Sequence, residues 1–204
     1  MFITLEGPEG GGKTTQLIRL AEYLTERGYD VLKVREPGGS AIGEQIRGVL
    51  TDMANTSMQP RTEILLFLAA RAQFVDEVVK PALVAGKLVL CDRYADSTLA
   101  YQGYGHRVDL PTLRRLLDFA TGGLYPDLTF LLDVDIDCGL NRKRPLAGEW
   151  NRLDAYPLDF HQRVRQGYLE LAAQEPERWV VVDANAGFDE VQATLRRESM
   201  ARLV

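Results

Sequence analysis

The sequence predicts an α/β fold, a mostly parallel sheet with helices on both faces. Five short apolar runs read as strands, at residues 2–6, 31–35, 87–92, 128–133 and 179–183. Helical periodicities at 13–27, 41–50, 62–85, 111–121, 157–174 and 187–203 separate them. Strands that alternate with helices pair side by side in parallel and bury both faces of the sheet.

The elements follow in order. Phe2-Ile3-Thr4-Leu5-Glu6 is apolar and β-prone. The next segment places Leu17, Leu20, Ala21 and Leu24 at spacings of three and four, one face of a helix. Gly28, Gly86 and Gly122-Gly123 stand where helices are expected to end. Residues 87–92 and 179–183 lack polar alternation, so both are expected to be strands buried on two faces. No repeat, low-complexity tract or Pro/Ser-rich linker divides the chain, so residues 1–204 read as a single domain.

Composition narrows the class. The chain has 204 residues, 46% apolar and 26% charged, as in an ordinary globular protein with an ample core. The net charge of −5 argues against an extended nucleic-acid or membrane surface. No apolar run approaches the ~20 residues that cross a bilayer. Cys91 and Cys138 make no metal-ligand pattern, and Cys91 reads as a reduced buried thiol. No secretion signal is visible, so the expected compartment is the cytoplasm.

The strongest motif lies between the first strand and the first helix. Gly7-Pro8-Glu9-Gly10-Gly11-Gly12-Lys13-Thr14 fits G-x-x-x-x-G-K-[ST], the phosphate-binding loop of nucleoside triphosphate enzymes. Glycines let successive N–H groups turn into one concavity, and the helix that follows offers unpaired N–H groups and the positive end of its dipole. Lys13 adds a charge for the β and γ phosphates, and Thr14 a hydroxyl for Mg²⁺.

In such sheets ligands bind beyond the carboxyl ends of the strands. Asp92 ends one strand, where an acidic residue supports Mg²⁺, and Arg93 follows with a guanidinium suited to phosphate. Read alone, the pair fits a strand-end ion pair equally well. Arg35-Glu36-Pro37-Gly38-Gly39 is a tight loop after the second strand, and Asp183-Ala184-Asn185 follows the last. Residues 141–152 carry Arg142, Lys143, Arg144 and Arg152 and are broken by Pro145 and Gly148. They read as a mobile basic lid or as a solvated surface loop. Phe67 and Arg71 stand four apart on one helix face, the first compatible with core and the second better placed on a ligand wall.

Over nearly its whole length the chain resembles the thymidylate kinases, which phosphorylate dTMP with ATP. The likeness rests on residues 2–14, on Arg35-Glu36-Pro37-Gly38-Gly39 and on Glu63-Ile64-Leu65-Leu66-Phe67-Leu68-Ala69-Ala70-Arg71-Ala72-Gln73. It rests also on Asp92-Arg93-Tyr94-Ala95-Asp96-Ser97-Thr98-Leu99-Ala100-Tyr101-Gln102-Gly103 and on Tyr125-Pro126-Asp127-Leu128. The resemblance implies a P-loop nucleoside monophosphate kinase fold, with a five-stranded parallel sheet, a lid near 141–152 and a homodimer.

It also implies roles. Gly7, Pro8, Glu9, Gly10, Gly11, Gly12, Lys13, Thr14 and Thr15 would hold ATP, with Mg²⁺ at Thr14 and Asp92. Glu9, Glu36, Phe67, Arg71, Arg93, Thr98, Tyr101 and Gln102 would hold dTMP. Within that set Glu9 would bond the sugar, Phe67 stack on thymine and Arg71 bond a ring carbonyl. Tyr101 would crowd the 2′ position. Catalysis would fall on Lys13, Asp92, Arg93 and the lid residues Arg142 and Arg144. The loop carries no arginine, so the charge is expected from the lid, as in the bacterial-type subclass. Gly11 stands where Ala is common, and His106 and Arg107 depart from the family's usual ending and receive no role.

Two other readings belong beside this one. A kinase for UMP, CMP or AMP is disfavoured by Tyr101-Gln102. A non-catalytic or switch-type nucleotide binder is disfavoured because the chain has neither N-K-x-D nor D-x-x-G.

Overall fold

Alternation along one strand divides the core. On β1 (Phe2–Glu6), Ile3 and Leu5 point to one face of the sheet, and Phe2, Thr4 and Glu6 to the other. The computed structural model describes residues 1–144 and 150–203. Its other strands are β2 (Val31–Arg35), β3 (Leu88–Asp92), β4 (Leu128–Asp133) and β5 (Trp179–Asp183). All pair in parallel, in the order β2-β3-β1-β4-β5.

One face is covered by α1 (Lys13–Thr25) and the C-terminal helix, α9 (Phe188–Leu203), whose Leu17, Leu20, Leu24, Val191 and Leu195 pack on Ile3, Leu5, Leu90 and Phe130. Between α1 and the remaining helices, α2 (Ala41–Thr51) links β2 to the far side. The other face is covered by α3 (Pro60–Phe74), α6 (Leu110–Thr121) and α8 (Leu158–Gln174), whose Leu68, Leu117 and Val164 join Phe2, Val89 and Leu131. The four expected apolar positions of α1 are all buried.

Where structure and sequence reading differ, the causes are local. Residues 62–85 are not one regular helix: α3 passes through a π-helical turn, Val75–Val79, into α4 (Lys80–Val84). Pro81 lacks an N–H and crowds the carbonyl four residues back, and the wider turn before it makes room. β5 is not buried on both faces. It is the sheet edge, and Val181 is 51% exposed. Two further helical segments were not expected. The first is α5 (Ala95–Thr98), which continues as a π-helical run, Leu99–Gly105. The second is α7 (Ile136–Lys143). Both are rich in weak helix formers, Asp96, Ser97, Thr98, Gly103 and Gly105 in one and Asp137, Cys138 and Gly139 in the other, and packing overrides that preference. Of the lid expected near 141–152, residues 145–149 lie outside the described residues.

α7 crosses the phosphate loop backbone to backbone. A Cβ on Gly139 would lie 2.1 Å from the Glu9 carbonyl oxygen, and one on Gly10 would lie 1.9 Å from the Gly139 carbonyl oxygen. Neither neighbour is a flexible side chain. Gly139→Ala is therefore expected to destabilise the fold by about 1–3 kcal/mol, read from the urea unfolding midpoint.

Candidate active site

The functional side chains gather where β1, β3 and β4 end. Gly12 caps α1 with φ 80, a left-handed angle suited to glycine. Lys13 then folds back over the loop, and its Nζ donates to the carbonyl oxygens of Gly7 at 3.1 Å and Pro8 at 2.7 Å. Burial, and then the nearby Arg93 charge, lower the Lys13 ammonium to about 8. Beside it the Thr14 hydroxyl donates to the Asp92 carboxylate.

Asp92 ends β3, and the next residue takes φ 68. This left-handed turn at a non-glycine residue aims the Arg93 side chain back over the phosphate loop. Its Nη1 donates to Gly7 O at 3.0 Å, Tyr168 Oη at 3.1 Å and Ser97 Oγ at 3.3 Å. Its Nη2 donates to Glu9 Oε1 at 2.7 Å and Tyr101 Oη at 3.0 Å. Glu9 Oε2 accepts from Lys143 Nζ at 2.9 Å, and Lys143 reaches Asp154 at 2.6 Å. Burial opposes charge on Glu9, but Arg93, Lys13 and Lys143 hold its carboxyl well below the usual range. Underneath, Glu6 accepts from Tyr94 N and Ser97 Oγ, each at 2.6 Å, and from Tyr168 Oη at 2.9 Å. Burial and the Asp96 charge raise Glu6 to about 7.

Above this lies a cleft of about 1010 Å³. Glu9–Gln16 line one side, and Glu36, Phe67, Thr98, Tyr101 and Gln102 another, with Asp92 and Arg93 between them. Thr15 lies on the cleft and is exposed. Phe67 is half-buried on the wall. Arg71 sits under the floor at 2% exposure, donating to Glu36 Oε2 at 2.7 Å, Thr98 Oγ1 at 2.8 Å and Tyr94 O at 3.0 Å. Burial and Arg71 act in opposite directions on Glu36, and burial prevails, raising it. Its Oε1 is buried with no donor among the described residues.

Comparisons with known proteins identify the family. The thymidylate kinase family model matches residues 5–195. A thymidylate kinase from Roseiflexus castenholzii is 54% identical over 201 residues, covering 93% of this chain and 88% of that protein. One from Geotalea uraniireducens is 50% identical over 207 residues, covering 99% and 97%. The chain belongs to the thymidylate kinase family. A crystal structure of thymidylate kinase from Ehrlichia chaffeensis superposes with a TM-score of 0.81 at 35% identity, covering 97% of each chain. The fold is thus that of the family, the P-loop nucleoside monophosphate kinases.

Set against the family's pattern, several residues sit elsewhere than expected. Gly7 and Pro8 lie beneath the cleft and present carbonyls to Lys13 rather than lining it. Arg144 does not face the cleft. Its guanidinium lies 5.7 Å from the Trp150 ring centre, beside a separate 240 Å³ pocket. Successive helical residues project about 100° apart, so Lys143 points at Glu9 and the next residue points away. Arg142 does line the cleft, with Nη1 on Ala184 O at 2.9 Å. Arg152 is no mobile lid cation. It is buried, donating to Leu50 O at 2.8 Å and to Glu63 Oε2 at 2.5 Å. Residues that the sequence reading passed over also reach the cleft, among them Arg47 and Phe188. The position past β5 signals Phe188, and nothing in the sequence signals Arg47.

The lowered Lys13 value sets a pH dependence. Above about pH 8 the free amine loses its proton, whereas a bound anionic phosphate favours the charged form. ATP binding at about pH 9, where the ATP phosphates are already fully ionised, is expected to take up about one proton. Calorimetry in buffers of different ionisation enthalpy measures the uptake, and Lys13→Met abolishes it.

Proposed function

We propose that this site transfers the γ-phosphate of ATP to dTMP, giving dTDP and ADP, with the residue roles that follow. One observation carries the reading. Lys13 Nζ and Arg93 Nη1 both donate to the same oxygen, Gly7 O, at 3.1 and 3.0 Å. Two phosphate groups held by these cations are therefore neighbours, as donor and acceptor must be.

On the donor side, the phosphate loop and the N-terminus of α1 supply N–H groups, and Lys13 neutralises charge. The Thr14 hydroxyl and the Asp92 carboxylate stand in contact and form a pair of hard oxygen donors, which fits Mg²⁺. Among the described residues no group of three or more His, Cys, Asp or Glu could hold a metal, which suits an ion ligated mostly by phosphate and water. Bound there, Mg²⁺ would supply further charge neutralisation.

On the acceptor side, Arg93 holds the dTMP phosphate, Glu9 and Tyr101 face the sugar, and Phe67, Thr98 and Gln102 meet the base, with Arg71 buried beneath Thr98 as its support rather than on the wall itself. Glu36 anchors Arg71. A phosphate monoester oxygen is already anionic near neutral pH, so no general base is required. It forms the new P–O bond while the bond to the departing ADP oxygen breaks. Arg142 and Lys143 line the cleft, Lys143 on Glu9 of the phosphate loop itself, which supports the bacterial-type subclass in which lid cations replace a loop arginine. Among the described residues no helix is long and apolar enough to cross a membrane, and a cytoplasmic setting belongs to the same reading. So does a homodimer. α2 and α3 expose Ile42, Val49 and Leu65, and sedimentation at micromolar concentration checks it.

The test is ADP release from Mg²⁺-ATP with dTMP, dUMP, UMP, CMP and AMP. dTMP is expected to be fastest, and a preference for a ribonucleotide overturns the reading. Lys13→Ala is expected to lower kcat by about 10²–10³-fold, equivalent to about 3–4 kcal/mol. Near-normal turnover by that variant overturns the role of Lys13.

A further inference from the structure

Behind the base-facing wall lies a buried carboxylate that the phosphoryl-transfer roles do not use. Glu63 on α3 is 1% exposed. Its Oε1 accepts from Gln102 Nε2 at 2.8 Å and from His106 Nε2 at 3.2 Å. Its Oε2 accepts from Arg152 Nη2 at 2.5 Å and from Tyr156 Oη at 2.9 Å. A carboxylate offers about four acceptor positions, and all four are taken. Burial opposes its charge, but the bonds from His106, Gln102 and Arg152 hold it at about 2, so near neutral pH it only accepts.

An amide can turn either its NH2 or its oxygen toward a neighbour. Toward an acceptor-only carboxylate it must turn the NH2, because an amide oxygen placed there would set two lone pairs face to face. Gln102 lines the cleft, its Oε1 receives no donor among the described residues, and that oxygen is not sealed from solvent. We propose that Glu63 is a specificity-determining positioning residue, which locks the Gln102 amide so that its carbonyl oxygen faces the base.

A fixed acceptor at that point selects a ring edge that bears an N–H. Thymine and uracil carry a proton on N3. Cytosine presents a bare lone pair there and is repelled. Discrimination of this kind is steep, since a wrong base leaves a desolvated acceptor unpaired. His106, which sequence comparison left without a role, becomes part of the clamp. The inference rests on the thymidylate reading above.

The test compares kcat/KM for dTMP and dCMP in the intact chain, the Glu63→Gln variant and the Tyr156→Phe variant. A glutamine at 63 both donates and accepts, so it no longer dictates which way Gln102 turns. Glu63→Gln is expected to narrow the dTMP-over-dCMP preference by about tenfold, chiefly through a higher KM for dTMP, with kcat within about twofold. Tyr156→Phe removes another partner of the same carboxylate and leaves the preference within about twofold, which separates orientation of Gln102 from general loosening. An unchanged preference in Glu63→Gln, or an equal loss for both substrates, overturns the proposal while leaving dTMP phosphorylation standing. If the unaltered chain phosphorylates no monophosphate, both readings fall. Should Glu63→Gln not fold, the unaltered protein decides by NMR. Adding dTMP is expected to move the Gln102 carbonyl carbon and leave its amide protons in place, and movement of the amide protons instead overturns the proposal.

Discussion

Arg93 is the joint between the sheet and the cleft. Its backbone N–H donates to Leu5 O at 3.0 Å, which ties the turn to β1, and its left-handed φ of 68 sends the side chain across the phosphate loop. A non-glycine residue in that region costs of the order of 1 kcal/mol. The hydrogen bonds at the guanidinium and the Glu6 carboxylate beneath the turn offset that cost. Glu6 accepts the N–H of Tyr94, the first residue past the turn, and so fixes the chain as it leaves. Without this arrangement Lys13 and Arg93 would not meet at Gly7, and the loop and the base-facing wall would be two unrelated pockets.

The same economy recurs deeper in the wall. Arg71 and Glu63 both lie on α3, each buried and each at the hub of a polar cluster. Arg71 gathers Glu36 from the loop after β2 with Thr98 and Tyr94 from the segment after β3. Glu63 gathers Gln102 and His106 from the π-helical end of that segment and Arg152 from the chain beyond α7. Paired charges of this kind repay their desolvation only when every bond is made, and what they contribute is a fixed geometry more than stability.

Most of the fold was legible because burial writes itself into spacing. β1, β2, β4 and β5 begin and end where their apolar runs do. The glycine loop was legible because its backbone conformation demands particular residues. Arg93 was legible from its place past a strand. The Ala95–Gly105 segment was not legible as helix, since its polar residues are there to face a ligand and each other rather than to favour a helix. β5 misled because an apolar run does not tell an edge from a centre. In the basic stretch, composition marked a source of charge but not its aim. Lys143 faces Glu9, Arg144 turns aside, and Arg152 is consumed by Glu63, distinctions that rest on a rotation about the helix axis and on a contact across the fold.

Glu9 gives the cleft a property of its own. In this structure the cations that face it already hold an anion, since one carboxylate spans Arg93 and Lys143. An arriving phosphate therefore displaces or joins a resident negative charge rather than meeting bare cations, and a departing one hands them back. Entry and exit amount to an exchange of anions, and the electrostatic gain on binding is a difference between two partners rather than the full strength of one. Such a site grips its phosphates firmly enough to align them and releases them without exposing unpaired charge, which suits an enzyme that must let go of a product more highly charged than the monophosphate it took in.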